Sequence, residues 1–482
     1  MIKLLTIKKF KIKHKNRIIY NCSFQHDTLE IRDSLLTTLI IGENGVGKSY
    51  LLRTLSDFIR QVTTNNSGKV FKYDDVELVY TLDSDEYRII KKRDFIKYYK
   101  NGEKIDLNQL SKPNKIIALS FMVNDKFSFS NNQDDVYEYL GIRATSNATY
   151  TSSIQKKLLS SLLHSLSDSS RVESLKSVFD FLNIGREIRI RYKLRRKTLF
   201  SHGISKEQIF KKVESLINRK DYLSSLKVNE ILDCSNDIIE FVRFIEDYYI
   251  KHESNIAISL DFSKKDFHIS DVFYYLEMLE KLEFLSPPEV DFIKDEKCNF
   301  EHTSSGEKHF LYTMINLISH IENNSLILID EPELSLHPRW QMKYIRLLKD
   351  ITKRYYTSHC ILASHSHFMV SDLDPKTSTL LSLKKGTEED YDSRVCSLIE
   401  YDTYAWSAEN ILYRVFGLRT TRNFYFESDI SKLLGLISSK SRDLDIIKNL
   451  YCKLMDYSLD ENDPINILLS ECKDYIDSLE ND

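Results

Sequence analysis

The sequence predicts an α/β fold, interrupted by a mostly helical insertion and followed by a helical tail. Three observations predict it. An apolar run, Leu35 to Ile41, leads through a glycine-rich loop into Leu51, Leu52, Leu55, Phe58 and Ile59 at helical spacing. A second run, Leu326 to Ile329, ends on the carboxylates Asp330 and Glu331, and an acid at the carboxyl end of a buried strand sits at the ligand edge of an α/β sheet. From Ile154 to Lys251, apolar residues recur at three and four spacing with no sustained heptad, the pattern of a compact helical block rather than a long coiled coil.

In chain order, Leu4 to Lys13 alternates apolar and basic residues and reads as strand before the glycine loop. Val76 to Leu82, Tyr87 to Ile90 and Ile116 to Ser120 read as further strands, separated by turn chemistry at Asn101-Gly102 and Pro113-Asn114. Ala144 to Ser153 is uncharged and rich in Ser, Thr, Ala and Asn, a boundary composition. Sheet-like segments resume at Glu289 to Lys294, Leu326 to Asp330, Cys360 to Ala363 and Thr379 to Leu383, and from Tyr401 the pattern is helical. The expected division is 1–143 for the first part of the α/β fold, 144–285 for the insertion, 286–400 for its second part and 401–482 for a helical interaction region.

The 482 residues are 42% hydrophobic and 29% charged, the composition of a globular protein with a packed core. A net charge of −3 gives the whole chain no attraction to polyanions, so any nucleic-acid surface is local. No apolar run approaches the roughly 18 to 20 residues that cross a bilayer. The first 17 residues hold seven Lys or Arg, but the apolar block of a secretory signal does not follow. Seven cysteines (Cys22, Cys234, Cys298, Cys360, Cys396, Cys452, Cys472) show no CxxC spacing, and their odd number argues against a disulfide framework. The expectation is a cytoplasmic protein with no membrane span.

Glycine is scarce, 12 in all, yet Gly42, Gly45 and Gly47 lie within six residues. Gly42-Glu43-Asn44-Gly45-Val46-Gly47-Lys48-Ser49 fits GxxxxGK[ST] between a strand and a helix, the context in which backbone N–H groups turn inward around phosphates. Gly42, Asn44, Gly45, Gly47, Lys48 and Ser49 are thus candidate ATP-binding residues, with Lys48 on the β and γ phosphates and the Ser49 hydroxyl on Mg²⁺. Asp330 is the second candidate Mg²⁺ ligand, and Glu331 the candidate general base for the attacking water.

Around these residues the chain resembles the ABC-type P-loop ATPases, in the branch that holds the SMC, RecF and OLD-like proteins. Thr303-Ser304-Ser305-Gly306-Glu307-Lys308 resembles the family's signature sequence, Glu333-Leu334-Ser335-Leu336-His337-Pro338 its D-loop, and Ile361-Leu362-Ala363-Ser364-His365-Ser366 its switch-histidine strand. The resemblance spans about 1–125 and 286–385 and implies a two-lobed head with a mixed sheet and a parallel core sheet. It implies that Ser304 and Gly306 open a helix that contacts the γ phosphate, that Ser335 lies at a dimer seam, and that His365 senses the γ phosphate. The glutamine loop of the family has no counterpart, since Phe121 to Phe127 contains no Gln. In this architecture the signature of one subunit closes the site of another. With one phosphate loop and one signature per chain, the resemblance implies a head-to-tail homodimer, or a higher homo-oligomer, with ATP between subunits.

Arg186 to Lys197 holds seven basic residues and one acid in twelve; as a strand it would place Arg189, Arg191, Lys193, Arg195 and Lys197 on one face. That face is either a polyanion surface for DNA or the solvated side of an amphipathic strand. The final 42 residues carry 11 acids and four bases, which argues against nucleic acid there. Tyr401 to Phe426 is dense in aromatics and arginines, a composition suited to a protein interface or to docking on the head. With the insertion, this tail resembles the ATPase subunits of two-gene bacterial anti-phage systems, most closely the Septu type, which implies an HNH nuclease partner. The alternatives are an SMC/RecF-like DNA-repair ATPase that binds DNA itself and, weakest, a transporter motor subunit.

Overall fold

The computed structural model describes residues 4–24, 34–63, 71–122, 125–128, 136–141, 152–195, 203–217, 225–249, 255–262, 270–295, 298–299, 305–334, 336–386, 393–399, 403, 406–457, 459–460 and 463–481. These form two compact units, Met1–Ala408 and Glu409–Asp482.

The first unit begins with β1 (Thr6–His14), β2 (Arg17–Ser23) and β3 (Leu36–Ile41), then α1 (Lys48–Thr63). Next come β4 (Asp75–Leu82), β5 (Asp85–Lys92), β6 (Phe95–Lys100), β7 (Glu103–Ile105), β8 (Ile116–Ser120) and β9 (Tyr137–Tyr139). The insertion contributes α2 (Ser152–Leu166), α3 (Ser169–Leu182), β10 (Glu187–Lys193), α4 (Lys206–Ile217), α5 (Ser225–Asp233), α6 (Ser235–Tyr249), β11 (Asn255–Asp261) and α7 (Ser270–Lys281). There follow β12 (Glu289–Asp295), β13 (Cys298–Asn299), α8 (Ser305–His320), β14 (Leu326–Asp330), α9 (Pro338–Gln341) and α10 (Tyr344–Ile351). The unit closes with β15 (His359–Ala363), α11 (His367–Ser371), β16 (Ser378–Lys385) and β17 (Arg394–Leu398).

The two lobes share one 13-stranded sheet, in the order β7-β6-β5-β4-β1-β2-β17-β16-β3-β15-β14-β8-β9. From β7 to β2 all pairs are antiparallel, while β16, β3, β15, β14, β8 and β9 run parallel. The strand patterns follow from burial. In β1, Phe10 and Ile12 are buried while Lys9, Lys11 and Lys13 are only partly covered, so one face of the antiparallel half meets solvent. Every residue of β3, β14 and β15 is buried, as in a parallel strand covered on both faces. On one face α1 packs Leu51, Leu55, Phe58, Ile59 and Val62 into the core with Phe10, Leu78 and Ile116.

Glu289 to Lys294 is a strand as expected, but β12 does not join the head sheet. It pairs with β10 in a separate antiparallel sheet, β11-β10-β12-β13, because the register sets Ile188 opposite Phe292 and Ile190 opposite Val290 and buries all four. A second difference concerns the cysteines. Against the expectation from their odd number, Cys22 of β2 and Cys396 of β17, register neighbours in the head sheet, are joined by a disulfide. Local spacing carries no trace of a pair separated by 374 positions. Among the described residues no helix is long and apolar enough to cross a membrane.

The second unit holds most of α12 (Ala408–Arg414), with α13 (Phe424–Ser438), α14 (Leu444–Met455) and α15 (Ile465–Asn481). The last three bury Leu433, Ile447, Leu454, Leu469 and Cys472 in a core of their own. Asn423 caps α13 and Asp443 caps α14 through their side chains. Phe424 and Tyr425 stand 77% and 76% exposed, so these two aromatics do not serve that core.

Candidate nucleotide site

Parallel strands in register end together, and their carboxyl ends define one edge. Asp330, last in β14, lies opposite Ser120 of β8 and Ala363 of β15, and Ala363 lies opposite Ile40 of β3. The loop that leaves β3 turns through Gly42 to Gly47 and feeds α1. Glu43, Asn44 and Gly45 are exposed along the loop. Gly42 must lack a side chain, since a Cβ there would come within 2.4 Å of the Leu383 carbonyl oxygen on β16.

This edge brings the sequence-predicted residues together. The Ser49 hydroxyl donates to Asp330 Oδ1 at 2.9 Å, across 281 positions of chain. Lys48 Nζ donates to Gly42 O at 2.9 Å, to Glu43 O at 3.3 Å and to His365 Nε2 at 2.5 Å. Glu331 takes a left-handed backbone, φ +48, with its N–H bonded to Ala363 O at 2.9 Å; such a conformation in a residue with a side chain is strained and marks functional sites. Ser304 and Ser335 lie outside the described residues. Gly306 is buried in the first turn of α8, on a different element from the phosphate loop.

The electrostatics are those of a crowded, half-dry site. Burial lowers the Lys48 ammonium to about 8, opposed by the carboxylates of Glu331, Glu333 and Asp330. Burial, reinforced by the Lys48 charge, lowers His365 to about 4, so its ring is neutral and can accept from Lys48. Burial raises Asp330 to about 7; the Ser49 hydrogen bond opposes this, and Glu331, Asp125 and Glu333 add to it. A hydroxyl and a carboxylate oxygen 2.9 Å apart are hard oxygen donors, so Ser49 and Asp330 suit Mg²⁺, whose charge would offset this crowding of acids.

Several further residues complete the site. Glu333 accepts from the His365 backbone N–H at 2.5 Å and so ties the loop after β14 to the switch segment after β15. Asp125 is buried, accepts from Phe127 N at 2.9 Å and from the Tyr139 hydroxyl, and contributes negative charge at Asp330. Tyr20 and Arg394 reach the phosphate loop from β2 and β17. Glu333 opens the stretch that resembles the D-loop and so is marked by the sequence, whereas nothing local marks Tyr20 or Arg394.

The basic strand has the predicted alternation: Ile188, Ile190 and Tyr192 are buried, Arg189 and Lys193 exposed. Part of its charge is answered within its own sheet. Arg191 meets Asp291 at 2.6 Å and Lys193 meets Glu289 at 2.6 Å. Arg195 is exposed, and Lys197 lies outside the described residues.

A family model described as "AAA domain, putative AbiEii toxin, Type IV TA system" matches residues 37–371. The Septu protein PtuA of Bacillus thuringiensis is 29% identical over 263 residues, 50% of this chain and 63% of that protein. The chain therefore spans less than two thirds of that relative. Among solved structures, an Smc head bound to the C-winged helix domain of ScpA is 11% identical with a TM-score of 0.39, covering 82% of this chain and 98% of that one. The SMC head domain from Thermotoga maritima is 15% identical with a TM-score of 0.33, covering 82% and 99%.

Proposed function

We propose that this chain, which belongs to the AAA domain family matched at residues 37–371, is a Mg²⁺-dependent ATPase that dimerises head-to-tail and regulates a partner effector. The observation that carries this reading is the meeting of the phosphate-loop Ser49 with Asp330 at 2.9 Å, beside Lys48. Phosphates arriving at the start of α1 meet inward N–H groups and the positive end of a 16-residue helix. Lys48, which now donates to two loop carbonyls and to neutral His365, exchanges those partners for phosphate oxygens, a stronger charge-assisted contact. Ser49 and Asp330 would hold Mg²⁺, which would supply positive charge beside those oxygens. Glu331 takes the proton of the attacking water, and its φ of +48 sets the direction of its side chain from the strand end. His365, released by Lys48, is left with ring nitrogens for the γ phosphate, while Glu333 holds its backbone.

The proposed effector is a partner nuclease of the HNH type in antiviral defence, as the resemblance to Septu-type ATPase subunits implies; similarity to the Septu protein PtuA supports the Septu-like part of this reading. ATP turnover by the purified protein, lost on chelating Mg²⁺, tests the enzyme. Light scattering with and without ATP tests the dimer, and co-purification with the product of the neighbouring reading frame tests the partner. A monomer that turns over ATP at the full rate would remove the head-to-tail reading.

A further inference from the structure

A loop that aims N–H groups at phosphate turns its carbonyls the other way, because the N–H and C=O of a trans peptide point to opposite sides of one plane. Carbonyls turned into protein need donors. The Val46 carbonyl finds its donor on a strand remote in sequence, and the Gly47 carbonyl, which already accepts from the Leu51 N–H of α1 at 3.0 Å, finds a second donor on another such strand. The Tyr20 hydroxyl on β2 donates to Gly47 O at 2.9 Å, and Arg394 Nε on β17 donates to Val46 O at 3.2 Å. Tyr20 and Arg394 are register partners across the parallel β2–β17 pair, so one strand pair supplies both donors. The approach is close. Gly47 has φ +104, and a Cβ there would meet Tyr20 Oη at 2.7 Å and Arg394 Nε at 3.6 Å. Tyr20 is 3% exposed, which leaves its hydroxyl little freedom.

We propose that Tyr20 and Arg394 are positioning residues that preset the phosphate loop for a nucleoside triphosphate. By fixing Val46 O outward and adding to the hold that α1 already has on Gly47 O through the Leu51 N–H, they keep the N–H groups of Gly47 and Lys48, which share those peptide planes, toward the opposite side. The inference rests on the phosphate-loop reading above. Neither side chain is assigned to a reacting atom, so their loss falls on nucleotide binding and leaves the chemical step alone.

The test is Mg-ATP affinity by calorimetry, with steady-state KM and kcat, for Tyr20→Phe, Arg394→Ala and Arg394→Lys. Loss of one hydrogen bond is expected to weaken ATP binding by about two- to tenfold in Tyr20→Phe and in Arg394→Ala. At saturating ATP, kcat should stay within about twofold of wild type, since uniform binding alone is lost. Arg394→Lys, which keeps a donor, should recover part of the affinity. Unaltered affinity in both Tyr20→Phe and Arg394→Ala overturns the proposal, as does a fall in kcat at constant KM. Tyr20→Phe removes a single hydroxyl and keeps the buried ring, so it decides the matter if Arg394→Ala does not fold. A wild-type protein that binds no ATP sinks the phosphate-loop reading itself; a wild type that binds beside variants that bind equally well sinks the positioning role alone.

Discussion

His359 opens β15 in the middle of the head sheet and is completely buried. Its Nδ1 accepts from the Ile7 backbone N–H at 3.0 Å. The single ring proton therefore sits on Nε2, which lies 2.9 Å from the Thr38 hydroxyl and donates to it. A second proton would have to point at the Ile7 N–H, and burial lowers the pKa to about 3 from 6.5. Because the folded value lies below the unfolded one, the contribution to stability is whole above pH 6.5 and is lost as pH falls toward about 3. The slope approaches about 1.4 kcal/mol per pH unit, so near pH 5 the loss relative to neutral pH is about 2 kcal/mol. His359→Gln keeps one acceptor and one donor without titrating. Both tryptophans, Trp340 and Trp406, lie in the first unit, so fluorescence during urea unfolding reports that unit alone. Wild type is expected to lose about 2 kcal/mol more than His359→Gln between neutral pH and about pH 5. Equal losses in the two proteins would refute the assignment of a neutral, doubly bonded His359.

Three other outcomes are expected. Lys48→Ala should lose ATP binding in a calorimetric titration, and unaltered affinity would remove the phosphate-loop reading. Glu331→Gln should bind ATP but hydrolyse it about 10²- to 10⁴-fold more slowly, with dimers accumulating by light scattering; wild-type turnover would show that Glu331 is not the base. Since Arg191 and Lys193 are paired with Asp291 and Glu289, the isolated protein should show little salt-sensitive DNA binding. ATP-dependent DNA binding that disappears on charge reversal at Arg189, Arg191 and Lys193 would instead favour a DNA clamp.

What the sequence announces, and what it hides, divides by range. The phosphate loop, the Asp330 strand and the alternation of β10 are written in short windows, because glycine placement, apolar runs and period-two patterning are local properties. Tyr20 in a short strand and Arg394 near a turn look ordinary until the β2–β17 register sets them side by side beneath Gly47. Cys22 and Cys396 are hidden for the same reason, since a count that argues against a disulfide framework says nothing of a single pair. The separate sheet of β10 and β12 depends on Phe292 and Val290 finding Ile188 and Ile190 about a hundred positions earlier in the chain, which no periodicity reveals.

The order of strands has a consequence for synthesis. β3, made early, is flanked in the finished sheet by β15 and β16, and β2 by β17. A ribosome moving from the amino end therefore exposes the glycine loop long before its neighbours exist, and sheets that wait for distant partners form slowly. A chain arrested short of Arg394 would display the glycine loop with the Arg394 contact to Val46 O missing and with β17 not yet beside β2.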